Sequence, residues 1–206
     1  VVATEAGFGA ELGAEKFFDI KCRFGGLEPG AAVIVATVRA LKMNGGVAKT
    51  ELAPENVDAV KAGAVNLQGH IENVGKFGVP AVVALNRFAT DTDAEIAAVE
   101  QACRDSGARM VVADPWGGGG EGCLDLADAV WDVLESGEAD YRPLYPLELG
   151  LVEKLETIAR EIYGADGVDV DPAAAKQIAA LENAGLREVP VCIAKTQYSF
   201  SDDPGK

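Results

Sequence analysis

The sequence predicts an α/β fold: a mostly parallel sheet wrapped by helices, with a smaller α/β lobe at the C-terminal end. Three observations predict it. Short runs apolar on both faces recur at residues 31–38, 80–85 and 109–113, as buried parallel strands require. Amphipathic stretches of helical period separate them. The connections are short, so consecutive strands lie side by side with helices crossing over between them.

The elements follow in order. Val1-Val2-Ala3 reads as the end of a strand whose beginning lies outside the chain, so a piece of a longer polypeptide is the expectation. Residues 10–20 form a helix whose apolar positions Leu12, Phe17 and Ile20 leave Glu11, Glu15 and Lys16 to solvent. Leu27-Glu28-Pro29-Gly30 signals a turn before the first strand, and residues 39–46 form that strand's exit loop. Pro54-Glu55-Asn56 opens a long helix that runs to residue 76. The second strand exits into Asn86-Arg87-Phe88, ahead of a helix at 93–106 with Asp93 as its cap. The third exits into Asp114-Pro115-Trp116 and the glycines 117–120, ahead of a helix at 124–134. Beyond Gly137 the texture changes. Prolines and tyrosines fill 141–146, helices occupy 149–163 and 172–183 around an Asp-rich loop, and a last strand at 189–194 leads into a polar tail, 195–206. The expected division is a main α/β core over 1–138 and the smaller lobe over 139–206, with the boundary near 136–145.

A chain of 206 residues, 49% hydrophobic and 25% charged, suffices for one good core and a small second lobe. Its net charge of −15 leaves no basic footprint to replace nucleic-acid counterions, so extended nucleic-acid binding is excluded. No apolar stretch approaches the ~20 residues of a membrane-spanning helix. The cysteines Cys22, Cys103, Cys123 and Cys192 have neither metal-ligand nor redox-motif spacing, and His70 is the single histidine. No metal site is expected; reduced, structural thiols fit a cytoplasmic protein. His70 falls inside the long helix and is given no catalytic role.

Ligands of parallel α/β sheets bind beyond the carboxyl ends of the strands, where loops and helix N-termini converge. Three such loops carry an aromatic ring: Gly7-Phe8-Gly9, Asn86-Arg87-Phe88, and Trp116 with its glycines. Two rings face to face would make a slot for a flat heterocycle, each stacking contact contributing roughly 1 kcal/mol. The plain reading is that Phe8 and Phe88 fold back to cover the end of the sheet. Gly45-Gly46-Val47-Ala48-Lys49-Thr50 imitates a phosphate loop, but Met43 and Ala48 stand where its glycines are required. Gly7-Phe8-Gly9 lacks the third glycine of a dinucleotide fingerprint, since Leu12 occupies that place, so a nicotinamide oxidoreductase is not supported. Glu5, Glu11, Asp91 and Asp114 lie near these loops and read most simply as capping or solvated carboxylates. Lys195-Thr196-Gln197-Tyr198, after the last strand, is placed to touch a ligand. A complete, non-catalytic α/β module binding a flat heterocycle or a partner subunit would carry the same slot.

Several stretches resemble formate–tetrahydrofolate ligases: Thr4-Glu5-Ala6-Gly7-Phe8-Gly9-Ala10-Glu11-Leu12-Gly13-Ala14-Glu15-Lys16-Phe17-Phe18-Asp19-Ile20-Lys21-Cys22-Arg23, Val38-Arg39-Ala40-Leu41-Lys42, Asn66-Leu67-Gln68-Gly69-His70-Ile71, Asn86-Arg87-Phe88, and Val191-Cys192-Ile193-Ala194-Lys195-Thr196-Gln197-Tyr198-Ser199-Phe200-Ser201. The resemblance runs through the whole chain and covers the middle and later part of the family's length. It implies a P-loop NTPase-like core and an enzyme that uses ATP with Mg2+ to turn formate into formyl phosphate, which N10 of tetrahydrofolate then attacks. A monovalent cation and a homotetramer are also implied. The family's phosphate loop lies upstream of these residues, so the chain alone is expected to be inactive. By similarity Phe88 and Trp116 stack on the pterin or the adenine, and Phe8, Gly7 and Gly9 line the formyl phosphate end. Asn86, Gly119 and Gly120 fall on the nucleotide side. Two positions depart from the family's pattern: Asn44, where His is frequent, and Ala89, where Pro is common.

Overall fold

The computed structural model describes residues 1–197 and 199–203. Tyr198, singled out with Lys195, and positions 204–206 of the expected tail lie outside the described residues. The chain divides into two units, Pro29–Tyr141 and a second made of Val1–Glu28 with Arg142–Lys206.

The first unit is a three-stranded parallel sheet in the order β1 (Ala32–Ala36), β2 (Ala81–Asn86), β3 (Arg109–Ala113). In register, Ile34 lies beside Val83 and Met110, and Val33 beside Val82 and Arg109. Successive side chains point to opposite faces, so the sheet has two distinct cores. On one face Ile34, Ala36, Val83 and Leu85 pack with Val38, Leu41, Val60, Leu67, Val99 and Cys103, which come from α2 (Val38–Asn44), α3 (Val57–Lys76) and α4 (Asp93–Asp105). On the other, Val82 and Val111 pack with Leu126, Ala129, Val130 and Val133 of α5 (Leu124–Ser136). The wrapping expected on both faces is thus incomplete over β1, where Val33 and Val35 remain exposed.

The α2 helix replaces the exit loop expected over 39–46. Thr37 Oγ1 accepts the Ala40 N–H at 3.0 Å, a helix N-cap, and Val38 and Leu41 are thereby turned into the core. Glycine lets α2 and α3 touch backbone to backbone: a methyl group on Gly63 would overlap the Leu41 carbonyl, and one on Gly45 the Ala59 carbonyl. The cap of α4 is Thr92 rather than Asp93. Its hydroxyl accepts the Glu95 N–H at 3.3 Å while Glu95 Oε2 accepts the Thr92 N–H at 3.1 Å. Glu95 is fully buried against Lys42, whose Nζ lies 2.5 Å from Glu95 Oε1 and also donates to the carbonyls of Leu52 and Pro54, each at 3.0 Å.

The second unit is helical. Its first helix, α1, runs over 10–25 and contains two wide-turned, π-type stretches, Ala10–Ala14 and Phe17–Cys22. The sequence reading gave Glu11 and Glu15 to solvent, yet both are buried, as is Asp19. Alternating normal and wide turns bring residues four apart into one column, so these acids share the inward face. Two further helices are α6 (Leu151–Tyr163) and α7 (Pro172–Asn183). The strand expected at 189–194 does not form among the described residues, because this unit offers no other strand to pair with. Side chains meet its backbone instead: Lys154 Nζ donates to the carbonyls of Arg187 and Val189 at 2.6 and 3.0 Å, and the Val191 N–H donates to Tyr145 Oη at 3.1 Å. Residues 1–7 likewise join no sheet. The four cysteines are all free, and no helix among the described residues is long and apolar enough to cross a membrane.

Two substitution pairs test this packing. Gly63→Ala is expected to cost about 2 kcal/mol or more in urea unfolding through overpacking. Gly75→Ala on the same helix, where a methyl meets nothing within 4 Å, is expected to gain up to about 1 kcal/mol. Lys42→Met strands the Glu95 carboxylate and should cost about 3–5 kcal/mol, and adding Glu95→Gln should recover part of that loss.

Candidate functional site

In the first unit the site is built at the carboxyl end of the sheet. Asn86 is the last residue of β2 and pairs in register with Ala113, so the loops that follow β2 and β3 leave from adjacent positions. The Arg87 N–H donates to the Ala113 carbonyl at 3.0 Å and ties the two exits together. Phe88 comes next. Its N–H donates to Asp91 Oδ2 at 2.8 Å and its carbonyl accepts the Asp91 N–H at 3.0 Å, so a buried carboxylate holds the turn. Asp91 is therefore a positioning group rather than a solvated one. Phe88 is 38% exposed, and the guanidinium of Arg39, on the first turn of α2, sits 5.2 Å over its ring centroid. Sequence reasoning missed Arg39 because it fell in an expected loop; the Thr37 cap signal was the available clue.

Trp116 is 98% exposed on the loop after β3. That loop folds around Asp114: its carboxylate accepts the Gly117 N–H at 2.7 Å, its carbonyl accepts the Gly118 N–H at 3.0 Å, and its N–H donates to the Gly122 carbonyl at 3.0 Å. Several glycines are thus required by the turn itself. A methyl on Gly122 would overlap the Asp114 carbonyl, and Gly119 holds φ +56°. Gly120 has open space around it and carries no such local duty. Phe88 and Trp116 accordingly stand at the same end of the sheet on neighbouring exits, both open to solvent.

Phe8, Gly7 and Gly9 belong to the second unit. Phe8 is exposed and adopts φ +66°, a conformation that side-chain-bearing residues enter at a cost of about 1–3 kcal/mol. The backbone folds onto α1 there: a methyl on Gly13 would overlap the Gly7 carbonyl, and one on Gly9 the Glu11 carboxylate.

The inward column of α1 continues from Glu11 through Glu15 and Asp19 to Arg23, at a spacing of four. Asp19 Oδ1 accepts the Leu144 N–H at 2.8 Å and lies 3.4 Å from Arg23 Nη2, which also donates to the Tyr145 carbonyl at 2.7 Å. Neither oxygen of Glu15 meets a hydrogen-bond donor among the described residues. A carboxylate can only accept, so Glu15 and Asp19 bond to one another only when one of them keeps a proton. Burial, and then the charge of Asp19, push the Glu15 carboxyl up to about 8, and burial raises Asp19 as well. This column stores a proton at neutral pH. His70 behaves oppositely: burial lowers it to about 4, so the imidazole is neutral.

Tyr163 links α6 to the column by donating its hydroxyl to the Glu11 carbonyl at 2.8 Å. On its ring, at 5.2 Å, rests Lys195 Nζ, which donates to the carbonyls of Thr196 and Ser199 at 2.6 Å each. Tyr163 and Lys195 line an open cleft of about 560 Å³ with Phe200, Asp169 and Ser201. Lys195 is therefore engaged by its own loop. Among the described residues no three His, Cys, Asp or Glu are arranged to hold a metal ion.

Comparison with known proteins adds the following. Residues 1–206 match the family model described as formate–tetrahydrofolate ligase. The chain is similar to the formate–tetrahydrofolate ligase of Maricaulis maris (strain MCS10), 58% identical over 203 residues, which is 98% of this chain and 36% of that protein. It is also similar to the formate–tetrahydrofolate ligase of Granulibacter bethesdensis (strain ATCC BAA-1260 / CGDNIH1), 56% identical over 202 residues, 98% of this chain and 35% of that protein. The chain thus spans about a third of the length of these relatives.

The raised Glu15 carboxyl has a thermodynamic signature. Its folded value of about 8 exceeds the ordinary 4.5, so the folded state holds the extra proton and stability falls as pH rises between these limits. The slope approaches about 1.4 kcal/mol per pH unit for one proton. Glu15→Gln is expected to flatten the profile from pH 5 to 8 and to raise the melting temperature at pH 8; an unchanged slope would refute the assignment.

Proposed function

The chain belongs to the formate–tetrahydrofolate ligase family, and we propose that it is the substrate-gripping part of an ATP-dependent ligase that makes 10-formyltetrahydrofolate. Formate's carboxylate is a poor electrophile. In the proposed reaction a formate oxygen attacks the terminal phosphorus of ATP and ADP leaves; N10 of tetrahydrofolate then attacks the formyl carbon, phosphate leaves, and the N10 proton is released. Phosphoryl transfer asks mainly for positioning and charge neutralisation. The residues present do not fit the phosphates of ATP or Mg2+: no Gly-x-x-x-x-Gly-Lys-Ser/Thr occurs in the sequence, and no acidic triple among the described residues is placed for a metal. No step through a metal is assigned to this chain, and turnover is assigned to the longer polypeptide.

This chain's share is binding and orientation. The observation that carries the reading is the pair of solvent-open rings, Phe88 and Trp116, on adjacent strand exits of a parallel sheet. With Arg39 on one face of Phe88, a pterin or adenine stacks on the other, while Trp116, borne by the Asp114 turn, closes over the heterocycle. Asn86, Gly119 and Gly120 take the nucleotide side. Separately, Gly7, Phe8 and Gly9 of the second unit are proposed to contact formyl phosphate, with Gly7, which has open space beside it, leaving its backbone accessible to the anion.

Calorimetric titration of the 206-residue chain with tetrahydrofolate tests this. Trp116→Ala and Phe88→Leu are each expected to weaken binding about fivefold, the equivalent of one stacking contact of ~1 kcal/mol. Unchanged affinity in both variants would sink the slot. Formate-dependent ADP release by the chain alone would overturn the division of labour, since none is expected.

A further inference from the structure

Acids outnumber bases in this chain, 33 to 18, so an arginine has many carboxylates to choose from. Arg87, the residue before Phe88, reaches Asp93 at 3.7 Å, and Arg104 and Arg109 reach Glu100 and Asp132. Arg39 does otherwise. Among the described residues its guanidinium meets no carboxylate and rests 5.2 Å over the Phe88 ring. Its place is fixed from the core: Thr37 caps α2, Val38 and Leu41 turn inward, and the buried Lys42 pins the helix to Glu95. Arg39 follows Val38 by about 100° around the helix and emerges near the carboxyl end of β1. Phe88 follows β2, the neighbouring strand, on a turn that Asp91 holds. The contact thus joins two braced segments. Trp116, on the next exit, has no cation over its ring among the described residues.

The two rings therefore differ electronically. An aromatic ring is negative on both faces and positive at its edge. A cation held over one face draws π density toward itself and leaves the opposite face less negative. Stacking on that opposite face then favours a heterocycle rich in π electrons over one that is poor in them. The oxidation states of a pterin differ in this respect. In a tetrahydropterin N5 and N8 are amine nitrogens that feed electrons into the pyrimidine ring. In the fully oxidised pterin they belong to a pyrazine ring that withdraws them.

We propose that Arg39 is a specificity-determining residue: acting through Phe88, it biases the slot toward electron-rich heterocycles, and so toward reduced over fully oxidised pterins. The inference rests on the reading in which a heterocycle stacks on Phe88, and it gives that ring a chemical preference that burial of flat surface alone lacks. Arg39 needs no contact with the ligand to exert it.

Calorimetric titration of the 206-residue chain with tetrahydrofolate and with folic acid, both without oxygen, gives a ratio of two dissociation constants. The ligands share their aminobenzoyl-glutamate tail, so any effect of Arg39 on that tail cancels in the ratio. Arg39→Met removes the charge and is expected to lower the preference for tetrahydrofolate about threefold. Arg39→Lys keeps a cation and should retain most of the preference. In the Phe88→Leu background Arg39→Met should leave the ratio alone, because the charge has lost the ring it acts through. An unchanged ratio in Arg39→Met by itself overturns the proposal, whether both affinities fall together or neither moves, since a mechanical brace acts on both ligands alike. Phe88→Leu separates the two readings. If it weakens tetrahydrofolate while Arg39→Met leaves the ratio intact, the stacking reading stands and this inference alone fails. If it changes neither affinity, the stacking reading fails and this inference falls with it.

Discussion

The first unit depends on one buried ion pair. Lys42 comes from α2, and Glu95 from the first turn of α4; between them they hold most of the loop that connects α2 to α3. The ammonium is shared among Glu95 and the Leu52 and Pro54 carbonyls. The carboxylate also accepts the N–H groups of Asn56 and Thr92 at 2.8 and 3.1 Å. Burial pushes the Glu95 carboxyl up, but Lys42 and these donors outweigh it and hold the group below its ordinary value. A pair so completely satisfied offsets the desolvation that usually makes buried charges unfavourable. It also sets where three elements begin or end: the close of α2, the Asn56 cap of α3 and the Thr92 cap of α4. Arg39 and the Phe88 turn stand on those elements, so the geometry of the exits is inherited from a contact well inside the core.

The strands and most helices were legible in the sequence because their signals are local. The apolar runs of β1, β2 and β3 and the period of α3, α5 and α6 need no knowledge of the rest of the chain. What escaped was set by partners distant in sequence. Glu11 and Glu15 read as a polar face, and nothing local says that Tyr163 meets Glu11 or that Leu144 and Tyr145 meet Asp19 and Arg23 of the same column. Their spacing with Asp19 and Arg23 was the signal, hidden because an ideal helical period does not align residues four apart so well. The strand expected at 189–194 had the right composition but no neighbour, and Lys154 and Tyr145 took the place of a ladder. Lys42, in an expected loop, gave no sign of its burial.

Within the candidate site, the sequence named the loops and the rings, and the structure adds a local duty in the turn for several of the glycines. Gly118 and Gly122 are needed to wrap a turn around Asp114, and Gly119 supplies its left-handed backbone. That leaves Gly120 as the member of the run without a local duty. The reverse holds for Asp91, which read as one acid among many and proves to be the fixed point of the Phe88 turn. A resemblance can name the aromatic residues, but only the coordinates reveal that one ring is backed by a cation and the other stands alone.

That solitude has a consequence. Nearly all of the Trp116 surface is in water, so in the binding role proposed above a ligand would have to order an unbraced indole. Ordering a side chain costs about 0.5–1.5 kcal/mol, comparable to what one stacked ring gives back. In that role the indole would act less as an adhesive than as a latch whose net contribution is decided by how ordered it was beforehand. Any neighbouring surface that braced the loop in advance would convert the same contact directly into tighter binding, with no new atom touching the ligand.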